Sequence, residues 1–404
     1  MANVLATCTI LAKEGLAVLE NMLGFSSNVN REWEEEFTTN QSRGYSPGVT
    51  INIKRPPRYT YRAGRVAVPQ STVETTIPLT LVQGGTDMSY LSVERTLSLQ
   101  SMEQKLQAAM ATVANEIDRQ GLLMALNNVN NLNNAAGALP ATTLAAVQIF
   151  TNANRRMDEM AAPRDRQRAM CAGPALNAGL VAGLSGLFNA QSKLTEQYGS
   201  GMVVDSFGMN FALDQNVPSF TNGGQAITGT THVAGQVGSN ITIGALAGTV
   251  TRGTIVTFPL VFAVNPQSRV STGVLAEFVV TADLAAGATV LPISPPIVPA
   301  GQFQNVTAAT NGVANWLIIS GVAGSTYGTN FAYHKDAFTL AAVPLWTPPS
   351  GKGVIDAASA SYKGMNMRVI QFYDRVNDNS IFRFDVLFGW AATYPELAVR
   401  IQNV

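Results

Sequence analysis

The chain has 404 residues, of which 46% are hydrophobic and only 13% are charged, and its 26 basic and 26 acidic side chains leave no net charge. The length suggests two or three compact units, and the charge balance excludes the basic excess of a dedicated nucleic-acid-binding protein. The charged fraction is about half the roughly 25% usual in soluble proteins, so we expect much of the surface to be buried against partners.

The first residues show neither a targeting signal nor a membrane span. Lys13 and Glu14 interrupt the first apolar run and no basic residues precede it, so a signal peptide is not expected. No stretch approaches the ~18 uninterrupted apolar residues of a membrane helix. Cys8 and Cys171 fit no metal or redox spacing and are interpreted as buried thiols of a reducing compartment. The sequence therefore predicts a cytoplasmic protein.

An amphipathic helix is predicted over residues 3–23, where apolar side chains recur at steps of three and four and Gly24 provides a stop. This helix must pack on its own domain or on a neighbour, and its sequence is compatible with both. An acidic cluster follows, with a tryptophan and a phenylalanine among its carboxylates: Glu32, Glu34, Glu35 and Glu36. Consecutive carboxylates point in different directions, so a solvated or interface patch is favoured over a metal site.

Residues 42–73 are rich in glycine and proline and are predicted to be extended and irregular, up to a strand at 76–82. Ordering so long a stretch costs about 1–2 kcal/mol of backbone entropy per residue, so we expect contact with another surface to order most of it. Residues 54–65 contain no acid and five bases, with tyrosines interleaved. We call these bases the basic segment: Lys54, Arg55, Arg58, Arg62 and Arg65.

The basic segment has two candidate partners, the phosphates of a nucleic acid and the acidic patch of a neighbouring subunit, and the plain alternative is a solvated loop. The zero net charge favours the acidic patch. Each exposed ion pair would contribute only about 0–1 kcal/mol, so such pairs would set register and partner choice more than stability. The basic segment and the acidic cluster are therefore the candidate interface residues.

The longest predicted helix covers residues 102–126, with Ser101 as its N-cap and Gln104 as the capping-box partner. At 1.5 Å per residue it is a rod of roughly 37 Å. Its predicted apolar stripe consists of Leu106, Met110, Val113, Ile117, Gly121 and Met124. A mixed α/β region follows, with helices predicted at about 142–160 and 175–196 and strands near 167–173 and 202–213.

The composition changes between residues 221 and 330, where the only charged residues are Arg252, Arg269, Glu277 and Asp283. Short β-prone runs separated by turn residues predict a small barrel or sandwich. Because the earlier style returns at 330–345, we interpret 221–330 as a β-domain inserted into a loop of an α/β host. Near the C-terminus, residues 366–374 and 381–390 are predicted to form a hairpin with one apolar face.

Catalytic patterns are scarce. The chain has no HExxH, CxxC, GxxxxGK[ST] or GxGxxG pattern, and AGLSG at 182–186 only superficially resembles a nucleophile elbow. The two histidines, His232 and His334, could take part in a Ser–His–Asp site, since such sites are not tied to sequence order. A structural role is favoured for each, and we expect no enzyme activity and no cofactor.

Several stretches, in this order, resemble the tailed-phage major capsid proteins of the Hong Kong 97 fold, and most closely the podophage coat proteins with an inserted β-domain. These stretches are QYGSGMVVDSFGMNF at 197–211, VNPQSRVSTGVLAEFVVT at 264–281, ISPPI at 293–297, NFAYHKDAFTLAAVPL at 330–345 and FGWAATYPELAVRI at 388–401. The resemblance covers nearly the whole chain and includes no catalytic signature. It implies an α+β fold and a shell-building function.

The resemblance also implies a division of the chain and a set of partners. The implied parts are an N-terminal arm (1–41), an extended loop (42–82), a peripheral domain (83–135 and 361–404) with spine helix 102–126, an axial domain (136–220 and 331–360) and the inserted domain (221–330). Copies would form hexamers and pentamers in the virion after assembly in the host cytoplasm. The implied partners are a scaffolding protein, a portal protein, a cement protein and packaged double-stranded DNA contacted without sequence preference, with no membrane.

Three other functions fit parts of the sequence. A cellular nanocompartment shell has the same fold but normally lacks the inserted domain and encloses protein cargo. A tail or adhesion protein would suit the Thr/Gly-rich 221–330 stretch and would form rods or secreted material. A hydrolase would use His232 or His334 and would lose activity on their replacement.

Overall fold

The computed structural model describes residues 8–31, 49–55, 57–62, 64–67, 69–72, 74–91, 102–184, 207–351 and 353–403. The helices in this part of the chain are α1 (Cys8–Met22), α2 (Met102–Asn128), α3 (Thr143–Glu159) and α4 (Pro174–Leu184). α2 and α3 confirm the helices predicted at 102–126 and 142–160. α4 confirms the start of the predicted helix at 175–196, whereas residues 185–196 lie outside the described residues.

The strands of the first half are β1 (Thr50–Arg55), β2 (Thr75–Thr80), β3 (Val82–Leu91), β4 (Leu132–Gly137), β5 (Arg168–Ala172), β6 (Met209–Leu213), β7 (Ser219–Thr221), β8 (Gly238–Thr242) and β9 (Ile255–Val264). Those of the second half are β10 (Ser271–Val280), β11 (Val290–Ile297), β12 (Leu317–Ile318), β13 (Thr326–His334), β14 (Phe338–Val343), β15 (Val354–Tyr362), β16 (Met365–Asp374), β17 (Asn379–Ala392) and β18 (Ala398–Asn403). The architecture is mixed α and β, as predicted.

The chain forms two compact units. The first comprises Met1–Ile53, Thr76–Gly121 and Thr339–Ala391, and the second comprises Lys54–Thr75, Leu122–Phe338 and Ala392–Val404. In the first unit β14, β17, β16 and β15 are neighbours in that order, and β3 also pairs with β17. The predicted hairpin is confirmed: β16 and β17 pair from Met367↔Val386 to Asp374↔Asn379.

Helix α1 packs against β15 and β16 within the first unit. Its buried face contains Cys8, Leu11, Ala12, Leu16 and Leu19, while Lys13 and Glu14 are exposed. This confirms the predicted amphipathic helix from residue 8 onward and indicates that α1 docks on its own subunit. The predicted residues 3–7 lie outside the described part of the chain.

The predicted buried stripe of α2 is confirmed from Leu106 to Gly121, but Met124 is only half-buried and Leu122 and Ala125 are buried instead. A straight helix turns by 100° per residue, so a strict 3–4 spacing drifts around its surface over six turns. The apolar stripe read from the sequence therefore leaves the buried face near the end of the helix.

The second unit contains two separate sheets. In the first, β4, β18, β13, β5 and β6 are neighbours in that order, with β7 also paired to β13, and helices α3 and α4 cover a core that includes Phe150 and Leu180. Strand β18 thus pairs with β13 and β4, whereas the division expected from the sequence groups residues 361–404 with the 102–126 helix. Long-range pairing of this kind leaves no local pattern in the sequence.

The second sheet has the strand order β12, β9, β10, β11 and β8, so all of its strands fall within residues 221–330. These strands enclose their own core, in which Trp316 and Phe258 are fully buried. The two ends of the segment are adjacent, because Thr221 on β7 pairs with Thr326 on β13. Adjacent ends are what an insertion into an existing loop requires.

We expect the thiol of Cys8 to resist alkylation in the native subunit. Burial and the nearby Asp356 carboxylate raise the pKa of Cys8 to about 12, so the thiol stays protonated at pH 9, and only the thiolate reacts. Labelling with iodoacetamide at pH 9, read by peptide mass spectrometry, should be at least about 100-fold slower in native protein than in urea. Equal rates would mean that α1 does not stay docked.

Candidate subunit interface

The basic segment begins on a two-stranded sheet that was not predicted. Residues 50–55 form β1 and pair with β2, although the sequence predicted an irregular stretch here. At the end of this pair Lys54 Nζ lies 2.8 Å from Glu74 Oε2, and the side chains of Lys54 and Glu74 are 66% and 49% exposed. An ion pair this exposed contributes at most about 1 kcal/mol, so Lys54 is free to exchange Glu74 for another carboxylate.

Two arms of the loop beyond this sheet are joined by side-chain hydrogen bonds. Thr60 N donates to Gln70 Oε1 at 2.9 Å, and Gln70 Nε2 donates back to Thr60 O at 2.8 Å. The hydroxyls of Tyr59 and Thr72 lie 3.1 Å apart. The loop therefore has internal order that its composition did not predict, and contact with another surface is not its only source of order.

The tip of the loop is exposed and partly apolar. Tyr61 is 95% exposed and Val66 is 79% exposed. Arg62 donates to the carbonyl oxygens of Gly64 and Val66, which curls the tip, and the Arg65 side chain is exposed. Large apolar side chains beside free charges are typical of surfaces that a partner covers.

The other two bases contact residues near the C-terminus of the same chain. Arg58 NH2 donates to Glu396 Oε1 at 2.8 Å, and the side chains of Arg58 and Glu396 are 29% and 21% exposed. The Arg55 guanidinium lies over the Tyr394 ring, 5.4 Å from its centroid. Glu396 is more than 300 residues away from Arg58 in the chain, so no sequence spacing could have revealed this pairing.

The structure therefore divides the five predicted bases into two groups. Lys54, Arg55 and Arg58 have contacts within their own chain, whereas Arg62 and Arg65 lie at the exposed tip. The acidic cluster at Glu32, Glu34, Glu35 and Glu36 lies outside the described residues, so its pairing with the basic segment stays a prediction.

Both histidines are buried and have structural contacts. His334 Nε2 lies 3.1 Å from Asp165 Oδ1, and its Nδ1 accepts the Asp336 N–H at 3.3 Å, so neither ring nitrogen is left to act as a base. His232 Nε2 accepts the Gly312 N–H at 3.2 Å, and burial lowers its pKa. Neither arrangement resembles a catalytic triad.

Two further searches concern only the described ranges of the chain. No group of three or more His, Cys, Asp or Glu side chains is arranged to hold a metal ion within these ranges. No described helix is long and apolar enough to cross a membrane.

The sequence matches the family model described as P22 coat protein, gene protein 5, over residues 72–402. A search of curated proteins finds no match. Similar solved structures include a chain from Mycobacterium phage Che8 (TM-score 0.46, 12% identity, 93% of this chain and 90% of that chain covered). Others are the mature capsid of bacteriophage PhiM1 (0.42, 10%, 88% and 82%) and a virus-like particle from Pyrococcus furiosus (0.42, 8%, 97% and 97%).

Proposed function

The chain belongs to the P22 coat protein family and is a tailed-phage major capsid protein that forms the head shell, and from this premise we propose how its copies assemble. The predicted Hong Kong 97-type fold is confirmed by the same membership, and the protein resides in the virion capsid. Its copies associate with one another, and we propose that they do so as hexamers and pentamers, in the host cytoplasm. The observation that supports this most is the family match, which leaves fewer than 80 residues outside it.

The proposed partners are those implied by the sequence. A scaffolding protein would guide assembly, a portal protein would occupy one vertex, a cement protein could bind the outer surface, and double-stranded DNA would be contacted without sequence preference. The zero net charge supports weak rather than tight contact with DNA. The family consists of structural proteins, and we propose that this member has neither a catalytic activity nor a cofactor.

We propose the same named domains as the sequence implied, with one change. The arm (1–41), the extended loop (42–82), the spine helix and the inserted domain (221–330) keep their roles. Strands β4 and β18 are moved from the peripheral to the axial domain, because both lie in the sheet built around β13.

Electron microscopy of the purified full chain, expressed with and without a candidate scaffolding protein, tests the proposed assembly. Closed icosahedral shells containing hexamers and pentamers are expected. Shells filled with protein cargo would instead support a nanocompartment, and rods would support a tail protein. Persistent monomers under both conditions would contradict the proposed assembly.

We propose that the loop tip pairs across subunits with the acidic cluster of a neighbour. The double variant Arg62→Glu/Arg65→Glu is the sharper probe, because Arg58→Glu would also break the contact with Glu396 inside the same subunit. The yield of particles should fall several-fold, since several weak pairs are reversed at every contact, while the Tm of the subunit stays unchanged.

The matched control restores the charge pattern. Adding Glu34→Arg and Glu35→Arg to the double variant should recover particle yield if the acidic cluster is the partner. Wild-type yield from Arg62→Glu/Arg65→Glu alone would contradict the pairing. Loss without recovery would mean that the tip contacts a different surface.

A further inference from the structure

A cavity of about 240 Å³ lies in the second unit, where the start of the basic segment, the inserted sheet and residues 394–396 meet. Its walls are mainly apolar, and include Leu275, Phe278, Phe303 and Val306. All of the residues that line it belong to one copy and to one compact unit, so the cavity exists before assembly. Binding pockets for small molecules are typically apolar clefts of this kind with a few convergent polar groups.

The polar groups of the cavity differ in whether they are already satisfied. Arg156 and Glu277 form a buried ion pair with each other, and Arg58 is bound to Glu396. Arg55 is the exception: its Nε is buried and makes no hydrogen bond within the described residues. Its only printed contact is with the face of Tyr394, which offers no anionic partner. A buried guanidinium nitrogen without an acceptor costs about 1–3 kcal/mol, and a bound anion would remove that cost.

We propose that this cavity binds a small amphipathic carboxylate, whose head group accepts hydrogen bonds from Arg55 and whose apolar body fills the space between Leu275, Phe278 and Phe303. The size agrees with this class of ligand. A cavity of about 150 Å³ holds benzene, which has six heavy atoms, so ~240 Å³ holds roughly ten. Octanoate has that number of heavy atoms and combines an eight-carbon chain with one carboxylate.

The proposal concerns a site beyond the assembly function, since it needs no second copy. A ligand here would contact both the root of the extended loop, through Arg55, and the inserted sheet, through Leu275 and Phe278. Any molecule that binds the folded state alone stabilises it by mass action. Octanoate is therefore expected to stabilise the isolated, unassembled full chain.

The test uses octanoate as the probe, with the full-length subunit under non-assembling conditions. Calorimetry should detect one site per chain, and saturating octanoate should raise the Tm by about 2–5 °C. Acetate, which has the head without the tail, should have no effect. Octanol, which has the tail without the charge, should bind at least about tenfold more weakly than octanoate.

The variants separate the head group from the cavity. Arg55→Met should weaken octanoate binding at least about tenfold while leaving octanol binding unchanged, and Arg62→Met is the matched control because Arg62 lies outside the cavity. Leu275→Trp, which fills the space, should abolish binding of both. Should either variant fail to fold, the comparison of octanoate, octanol and acetate on the wild-type chain still decides.

Two results would overturn the proposal. One is the absence of any octanoate binding to the wild-type subunit up to the solubility limit of the probe. The other is equal affinity for octanoate in the wild type and in Arg55→Met, which would remove Arg55 as the anion receptor. Because the measurement is made on unassembled subunits, a failure of shell assembly does not affect it.

Discussion

Replacing Glu277 by alanine is expected to lower the free energy of unfolding by about 3–5 kcal/mol, because it leaves a buried cation without a partner. Glu277, on β10, forms an ion pair with Arg156 on α3, whose side chain is 4% exposed. Glu277 Oε2 also accepts the Leu132 N–H at 2.7 Å. Burial raises the pKa of Glu277 and the Arg156 charge opposes that rise, so the carboxylate depends on this partner.

The expected loss can be measured by urea unfolding of the subunit. Asp283→Ala is the matched control: Asp283 is the other acid between 221 and 330, it is exposed, and its carboxylate accepts only the backbone N–H of Arg252 at 2.7 Å among the printed hydrogen bonds. It should cost less than about 1 kcal/mol. The double variant Arg156→Met/Glu277→Leu should recover most of the loss, because both charges are removed together. Equal effects of Glu277→Ala and Asp283→Ala would show that the buried pair is not a joint.

Gly121→Val is expected to destabilise the subunit by at least about 1–3 kcal/mol through overpacking. A Cβ at position 121 would lie 2.6 Å from Trp390 Cζ2 and 2.9 Å from Phe25 Cε1. Neither ring can move easily: Trp390 Nε1 donates to Ile117 O at 3.1 Å, and the centroids of Trp390 and Phe25 are 5.5 Å apart. A glycine in the interior of α2 therefore has a packing reason that outweighs its poor helix propensity of about 1 kcal/mol.

The matched control is the alanine series at two helical glycines. Gly121→Ala should lower the Tm, because its Cβ meets rigid rings. Gly15→Ala in α1 should be close to neutral, because its nearest contact, at 2.9 Å, is Met367 Cε at the end of a flexible side chain. If both alanine variants had the same Tm, close approach of Trp390 would not be the reason for the glycine at 121.

Elements with a local signature could be predicted. The helix at 102–126 and the 381–390 arm were found because side chains that share a buried face recur at the period of the backbone itself, and that period is written in consecutive residues. The change of composition at 221 likewise marked a segment with its own core, in which Phe258 and Trp316 are buried. The resemblance to coat proteins rested on these same stretches.

Contacts between distant residues could not. Strand β1 was missed because its partner β2 begins 20 residues after β1 ends, and β18 was grouped with the hairpin although it pairs with β13. The partner of Arg58, Glu396, had no signal at all. Glu277 did leave one, since a single acid in the apolar run VLAEFVV must find a buried cation, but the sequence could not say that the cation is Arg156.

The sequence by itself therefore determined the helices, the hairpin, the inserted segment and the kinship with phage coat proteins, because each depends on neighbouring residues or on their order. Only the tertiary structure decided which charges of the basic segment are already paired, and which remain at the loop tip. It also created the cavity beside Arg55, which is formed by segments up to about 340 residues apart. Such sites arise from packing in three dimensions, and the free energy that holds them is spread over contacts that no window of sequence contains.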